Sequence, residues 1–206
     1  MTDRLELNTP DGGVAPQIFH QAYETMAPWD INRPQPDLTA IADRVKGSVL
    51  DVGCGTGEHA LYYAARGHEA WGVDMVPVAI ERARAKAAER GLDVTFRVED
   101  ALALERLGRR FDHIFDAGLF HVFGDDLRLR YVESLARVVN PGGGLHILCF
   151  NEHTPGTQGP RRVTQAELHE AFRDGWIVRE IVPATYYTVL PDPQPQAWRA
   201  TLERAG

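Results

Sequence analysis

The stretch 49-VLDVGCGTGEHA-60 passes from a short apolar run into three glycines on alternate positions, Gly53, Gly55 and Gly57. Acids stand on either side of them, Asp51 and Glu58. A backbone this bare costs conformational entropy, and its use is to let something approach the main chain closely. The run before the glycines reads as a buried strand and the run after them as a helix, so the glycines form a strand-to-helix loop. Working outward, strands and helices alternate. Helix 58–66 is followed by strand 69–74. Pro77 opens a long helix that Gly91 ends. Strand 94–98, a short helix near 101–107 and strand 111–116 come next. Helix 125–139 leads through 141-PGGG-144 to strand 145–150. This alternation implies right-handed crossovers and a mostly parallel, doubly wound α/β sheet with helices on both faces.

The flanks are less regular. Residues 1–16 read as a mobile lead-in, 17–27 as a short helix, and 28-PWDINRPQP-36 as a segment whose three prolines stop regular structure. A helix near 37–46 leads into the first strand. Beyond residue 151 a Gly- and Pro-rich loop precedes a helix capped by Thr164, with Glu167 as capping-box partner. Strands near 175–182 and 185–190 are expected to close the sheet as an antiparallel pair, and a last helix is expected over 195–204.

The chain has 206 residues, 44% of them hydrophobic and 25% charged, an ordinary balance for one large globular domain. Its net charge of −7 argues against general nucleic-acid binding. No apolar run approaches the length of a membrane span. The N-terminal sequence lacks an apolar signal-peptide core, and Cys54 and Cys149 have no metal-ligand spacing, so a cytoplasmic protein with reduced thiols and no metal is expected. The charges Arg82, Lys86 and Arg90 read as the solvated side of their helix.

In such a sheet, ligands bind beyond the carboxyl ends of the strands, where the strand order reverses. A dinucleotide site there needs G-x-G-x-x-G, with pyrophosphate on the helix N-terminus. Here the third glycine comes one residue early and an acid follows it, which suits a ligand bearing a cationic or ammonium group better. Asp74 ends the second strand 21 positions after Gly53, the place of a ribose-binding acid. Asp100 follows the third strand, where an acid can accept from an adenine amino group or cap a helix.

Taken together, 49-VLDVGCGTG-57, 71-WGVDM-75, 98-VEDA-101, 111-FDHIFDAG-118 and 140-NPGGGL-145 resemble the class I S-adenosylmethionine-dependent methyltransferases. The resemblance covers about residues 45–150 and implies a Rossmann-like seven-stranded sheet with its last strand antiparallel. It implies a single domain over 1–206, with an N-terminal lid (1–36), a cofactor-binding core (37–150) and a C-terminal part (151–206) that completes the sheet and walls the acceptor pocket. S-adenosyl-L-methionine is the implied cofactor. Gly53, Cys54, Gly55, Thr56 and Gly57 would lie against its methionine part, with Asp51 acting through water. Asp74 would hold the ribose, Met75 would pack on the adenine, and Asp100 and Ala101 would meet its edge. Asp116 would face the methionine amino group or the acceptor.

The segment 28-PWDINRPQP-36 resembles the lid of methyltransferases acting on thiols, thiopurines, halides and heterocyclic or quinone-type acceptors, except that Asn32 replaces a usual Gly. Trp29 stands over the cofactor or acceptor on this reading, or staples the segment to the core. Asp30 and Arg33 pair with each other, cap a helix or line the pocket. In 116-DAGLFHVF-123, His121 is the candidate general base, its alternative a core histidine holding a backbone group. Phe120, Phe123 and Asn151 are candidate pocket walls, although aromatics at helical spacing also suit a core. The expected function is methyl transfer to a small acceptor: an aromatic heterocycle, a phenol or quinol, or a thiol. A monomer or homodimer without nucleic-acid or membrane partners is expected. A non-catalytic cofactor-binding module and a nucleotide-dependent oxidoreductase are the competing readings, the latter opposed by the glycine spacing.

Overall fold

A computed structural model describes residues 9, 12–156 and 159–206. Most of the lead-in 1–16 and the centre of the 151–162 loop lie outside the described residues. The part of the lead-in that is described is held in place, with the Val14 amide donating to Val122 O at 2.7 Å.

One seven-stranded sheet runs in the order β3-β2-β1-β4-β5-β7-β6. Strands β1 (Val49–Val52), β2 (Ala70–Asp74), β3 (Val94–Val98), β4 (Phe111–Ala117) and β5 (Val139–Phe150) are parallel. Strand β7 (Gln196–Arg204) inserts antiparallel between β5 and β6 (Trp176–Thr185). Strand β1 is buried at all its positions, as the middle of a parallel sheet covered on both faces requires. Side chains alternate between two cores. Leu50, Ile114, Ile147, Trp198 and Leu202 pack on one face with α5 (Asp125–Val138) and α6 (Gln165–Ala171). Val49, Phe115, Leu148 and Ala197 pack on the other with Tyr63 and Leu38.

Local signals act as expected in several places. Pro77 sits in the first turn of α4 (Pro77–Arg90), and Gly91 ends that helix in the left-handed region at φ 64°. Thr164 and Glu167 form a complete capping box on α6. Helix α1 spans Pro16–Glu24 and α3 spans Glu58–Ala65. The expected helix over 37–46 is only a single turn, α2 (Pro36–Thr39), followed by a 3-10 turn at Ala42–Arg44.

The chain end corrects the sequence reading. The expected helix over 195–204 is β7, and the expected strand over 185–190 is a loop after β6. The segment AWRATLER is rich in helix formers, but Trp198, Ala200 and Leu202 alternate into one core while Ala197 faces the other. Pairing on both sides overrides propensity. The 141-PGGG-144 turn lies within β5, where the register against β4 slips between Val139 and Gly144.

Candidate active site

Order reverses between β1 and β4, and there the loops after these two strands meet. Gly53, Gly55 and Gly57 have φ of 66°, 53° and 87°, conformations that side chains resist. Added carbon would also collide. A Cβ on Gly55 would lie 2.4 Å from Tyr23 Oη, one on Gly57 2.6 Å from Phe96 Cζ, and one on Gly53 3.1 Å from the Leu119 side chain. Carboxylates beneath the loop hold its amides. Asp74 Oδ2 accepts from Gly55 N and Oδ1 from Val76 N, both at 2.9 Å. Asp51 Oδ2 accepts from Ala60 N at 3.3 Å, at the start of α3. Burial pushes the Asp51 carboxyl up to about 8 and raises that of Asp74.

A cleft opens over this loop. Its walls include Asp51, Gly53, Cys54, Gly55 and Thr56 from the loop, with Trp29, Asp30 and Arg33 from the N-terminal segment. Tyr23, Gln35, His59, Ala117 and Tyr186 complete it. Cys54 is buried and its thiol is pushed up by burial, so it is no nucleophile. To one side of Asp74, Met75 and Val98 are exposed apolar side chains, with Ala101 half-buried beside them. Asp100 is exposed, and its Oδ1 accepts from Leu102 N at 2.9 Å as the cap of the 3-10 helix Ala101–Leu107. The donor set fits S-adenosylmethionine. A bare cradle, an acid with spare lone pairs at the end of β2 and an adjoining apolar shelf match its methionine, ribose and adenine parts.

The N-terminal segment crosses this site as a built element. Trp29 Nε1 donates to Tyr23 Oη at 2.9 Å, and the Trp29 ring packs edge-on against Phe19 and Tyr23. Gln35 pairs with the backbone of Tyr187 through both side-chain ends, and its own amide donates to His59 Nε2 at 3.0 Å. His59, pushed down to about 4 by burial, is thus a neutral ring whose Nε2 accepts. Asp30 accepts from Thr56 Oγ1 at 3.0 Å instead of pairing with Arg33. Arg33 lies 5.5 Å over the Tyr187 ring. Asn32 adopts φ 57°, the left-handed turn for which Gly is the ordinary choice and which Asn tolerates.

Five expected site residues stand elsewhere. His121 is buried, its Nδ1 accepts from Phe150 N at 2.8 Å, and its ring also bonds the Gly118 backbone. Burial, with the Arg162 and Arg128 charges, pushes it down to about 3, so it is a core histidine behind Tyr186 rather than a base. Asp116 turns under the β4 loop and accepts from Leu119 N, Phe120 N and Tyr131 Oη; burial pushes it up to about 7. Phe120 is fully buried and stacks on Phe172. Asn151 is buried, its Nδ2 donating to Ala197 O. Phe123, half-buried, packs on Tyr131. Each of the five satisfies backbone or core where its neighbours leave a gap, which no local pattern announces.

Sequence reasoning missed Tyr23, Gln35, Tyr186 and Lys86. Tyr186 donates to Ala117 O at 3.0 Å and fills the space beside Gly118. Lys86 lay in plain view as the middle of an i, i+4, i+8 row with Arg82 and Arg90, a pattern that marks one helix face without saying what covers it.

Residues 49–143 match a family described as a methyltransferase domain. A 2-heptyl-1-hydroxyquinolin-4(1H)-one methyltransferase of Mycobacteroides abscessus is 41% identical over 165 residues, spanning 78% of this chain and 73% of that protein. A demethylmenaquinone methyltransferase of Thermus thermophilus is 34% identical over 165 residues, spanning 77% and 73%. A structure solved for the conversion of a disulfide bond into a thioacetal group during echinomycin biosynthesis superposes with a TM-score of 0.82. It is 32% identical and covers 93% of each chain. With the glycine cradle, the sheet order and these relatives in agreement, the chain belongs to the class I S-adenosylmethionine-dependent methyltransferases.

Proposed function

We propose that this methyltransferase acts on a small planar acceptor, a hydroxylated heteroaromatic or quinol ring, which binds between Trp29 and Tyr186. The observation that carries this reading is the aromatic cleft between the N-terminal segment and the glycine loop. Indole and phenol rings supply flat apolar area at little entropic cost. Two relatives support the ring class by name, one acting on a hydroxyquinolone and one on demethylmenaquinone.

The cofactor supplies an electrophilic methyl group on a sulfonium. The chain's part is to align the acceptor and keep water out. Gly53 and Gly55 would let the ligand lie against the main chain, and Asp74 would hold its ribose. Tyr23 and Trp29 close over the loop. The imidazole in the cleft is not free to act as a base: His59 Nε2 is occupied by the Gln35 amide. An acidic hydroxyl that loses its proton to water before transfer fits such a site. The positive Arg33 at the rim favours the resulting oxyanion.

Incubation with S-adenosylmethionine and a panel of hydroxyquinolones, naphthoquinols, phenols and thiols tests this. Mass spectrometry should find methylated rings, with S-adenosylhomocysteine formed in step. Methylation of thiols alone, with no ring modified, overturns the acceptor class.

A further inference from the structure

Two charges of the α4 row, Arg82 and Lys86, face the N-terminal segment and the glycine loop, whereas Arg90 is exposed. Arg82 Nη2 donates to Tyr23 O at 2.8 Å, at the end of α1. Lys86 Nζ donates to Asn32 Oδ1 at 2.9 Å, Thr56 Oγ1 at 2.8 Å and Glu58 Oε1 at 2.8 Å, and lies 4.0 Å from Asp30 Oδ1. Among the described residues Arg90 hydrogen-bonds only Glu58, through both of its terminal nitrogens. An ammonium has three protons, and Lys86 spends them on three different segments: the turn after Trp29, the glycine loop and the start of α3. Thr56 relays the connection, since its oxygen accepts from Lys86 while its hydroxyl donates to Asp30 Oδ2. The Lys86 side chain is only 18% exposed, so its bonds to Thr56 and Glu58 are partly shielded from water, while the one to Asn32 lies at the surface.

We propose that Lys86 is the positioning residue of the site, the latch that fixes the Trp29 turn against the glycine loop and so shapes the acceptor pocket. It touches neither ligand and works through Asp30, Asn32 and Thr56. Asn32 belongs to the device. A glycine there would keep the left-handed turn at no conformational cost but would offer Lys86 no acceptor. This inference rests on the reading of the cleft as the acceptor pocket.

Amide exchange and kinetics on the full chain test it, with Lys86→Met, Asn32→Gly, the double variant and Arg90→Met. In Lys86→Met, exchange over residues 17–36 should quicken about tenfold or more, the scale of one lost charge-assisted hydrogen bond. Acceptor KM should rise similarly, with S-adenosylhomocysteine affinity changed less and α4 itself unaffected. Asn32→Gly should show a smaller rise of the same kind and add nothing in the double variant, because Lys86→Met already removes the bond that Asn32→Gly removes. Arg90→Met, which cuts only the Glu58 arm, should leave 17–36 unchanged. Unaltered exchange in Lys86→Met, additive effects, or equal opening in Arg90→Met overturns the latch. Exchange needs no acceptor, so a wrong acceptor class leaves that arm readable and shows instead as turnover absent from every variant.

Discussion

The glycine loop and the Trp29 segment face each other across one cleft, yet they are held by different means. The loop is fixed by its main chain. Its glycines are left-handed, its Gly55 amide is bonded to Asp74, and the Asp51 carboxyl beneath it is buried. The Trp29 segment is fixed by side chains: Trp29 on Tyr23, Gln35 on Tyr187, Asn32 on Lys86. Main-chain geometry of this kind tolerates almost no substitution at the glycines, against which Tyr23, Phe96 and Leu119 pack closely. Side-chain tethers can be retuned one at a time. One wall of the site thus suits an invariant ligand and the other a ligand that differs between relatives.

The sharpest way to test that contrast is inside the loop. Gly57→Val puts a branched side chain at φ 87° with its Cβ 2.6 Å from the buried Phe96 ring. It should destabilise the fold by about 2–4 kcal/mol, read by denaturant titration, and abolish S-adenosylhomocysteine binding. Gly55→Ala, whose added carbon meets Tyr23 Oη instead, should spare the melting temperature more and chiefly open the N-terminal segment.

Next is the acid under the loop. Asp74→Ala leaves the Gly55 and Val76 amides without their acceptor and removes the expected ribose contact. S-adenosylmethionine affinity should fall about tenfold or more by calorimetric titration. Unchanged affinity in a folded variant would remove Asp74 from the cofactor site.

Across the cleft, Trp29→Ala should cut kcat/KM for the acceptor by about tenfold, a loss on the scale of a buried aromatic contact, and alter cofactor affinity less. If cofactor binding falls first, the two walls do not divide the labour as proposed.

The smallest effect concerns pH. Asp51 is held up to about 8 in the folded chain by burial, above its ordinary value of 3.8. Between those values the folded state keeps a proton that the unfolded chain has released. That contribution is complete below about pH 4, declines as pH rises towards 8 and is level above it. Melting temperature followed from pH 5 to 8.5 should therefore fall less steeply in Asp51→Asn than in the parent. Parallel curves would mean that Asp51 does not titrate there.

What the sequence by itself determined was whatever depends on near neighbours along the chain. The strand–glycine–helix unit at 49–65, the Pro77 start and Gly91 stop of α4, and the Thr164 capping box follow from local geometry and hydrogen bonding. So does the site's location at the ends of β1 and β2, because chain alternation alone implies a parallel sheet. Only the tertiary structure decided where equivalent-looking side chains point. Asp51 and Asp116 both occur at strand ends, yet one lines the cleft and the other ties down the β4 loop, because Leu119, Phe120 and Tyr131 donate to it there. His121 looked like a base until Phe150, 29 residues away, claimed its Nδ1. Helix formers at 197–204 became a strand because β5 and β6 left a gap between them. Lys86 resembled a solvated charge because its partners, Asn32, Thr56 and Glu58, lie 28–54 residues away along the chain. Backbone pattern is written locally, but desolvation and hydrogen-bond partnership are settled by residues brought near only when the chain folds.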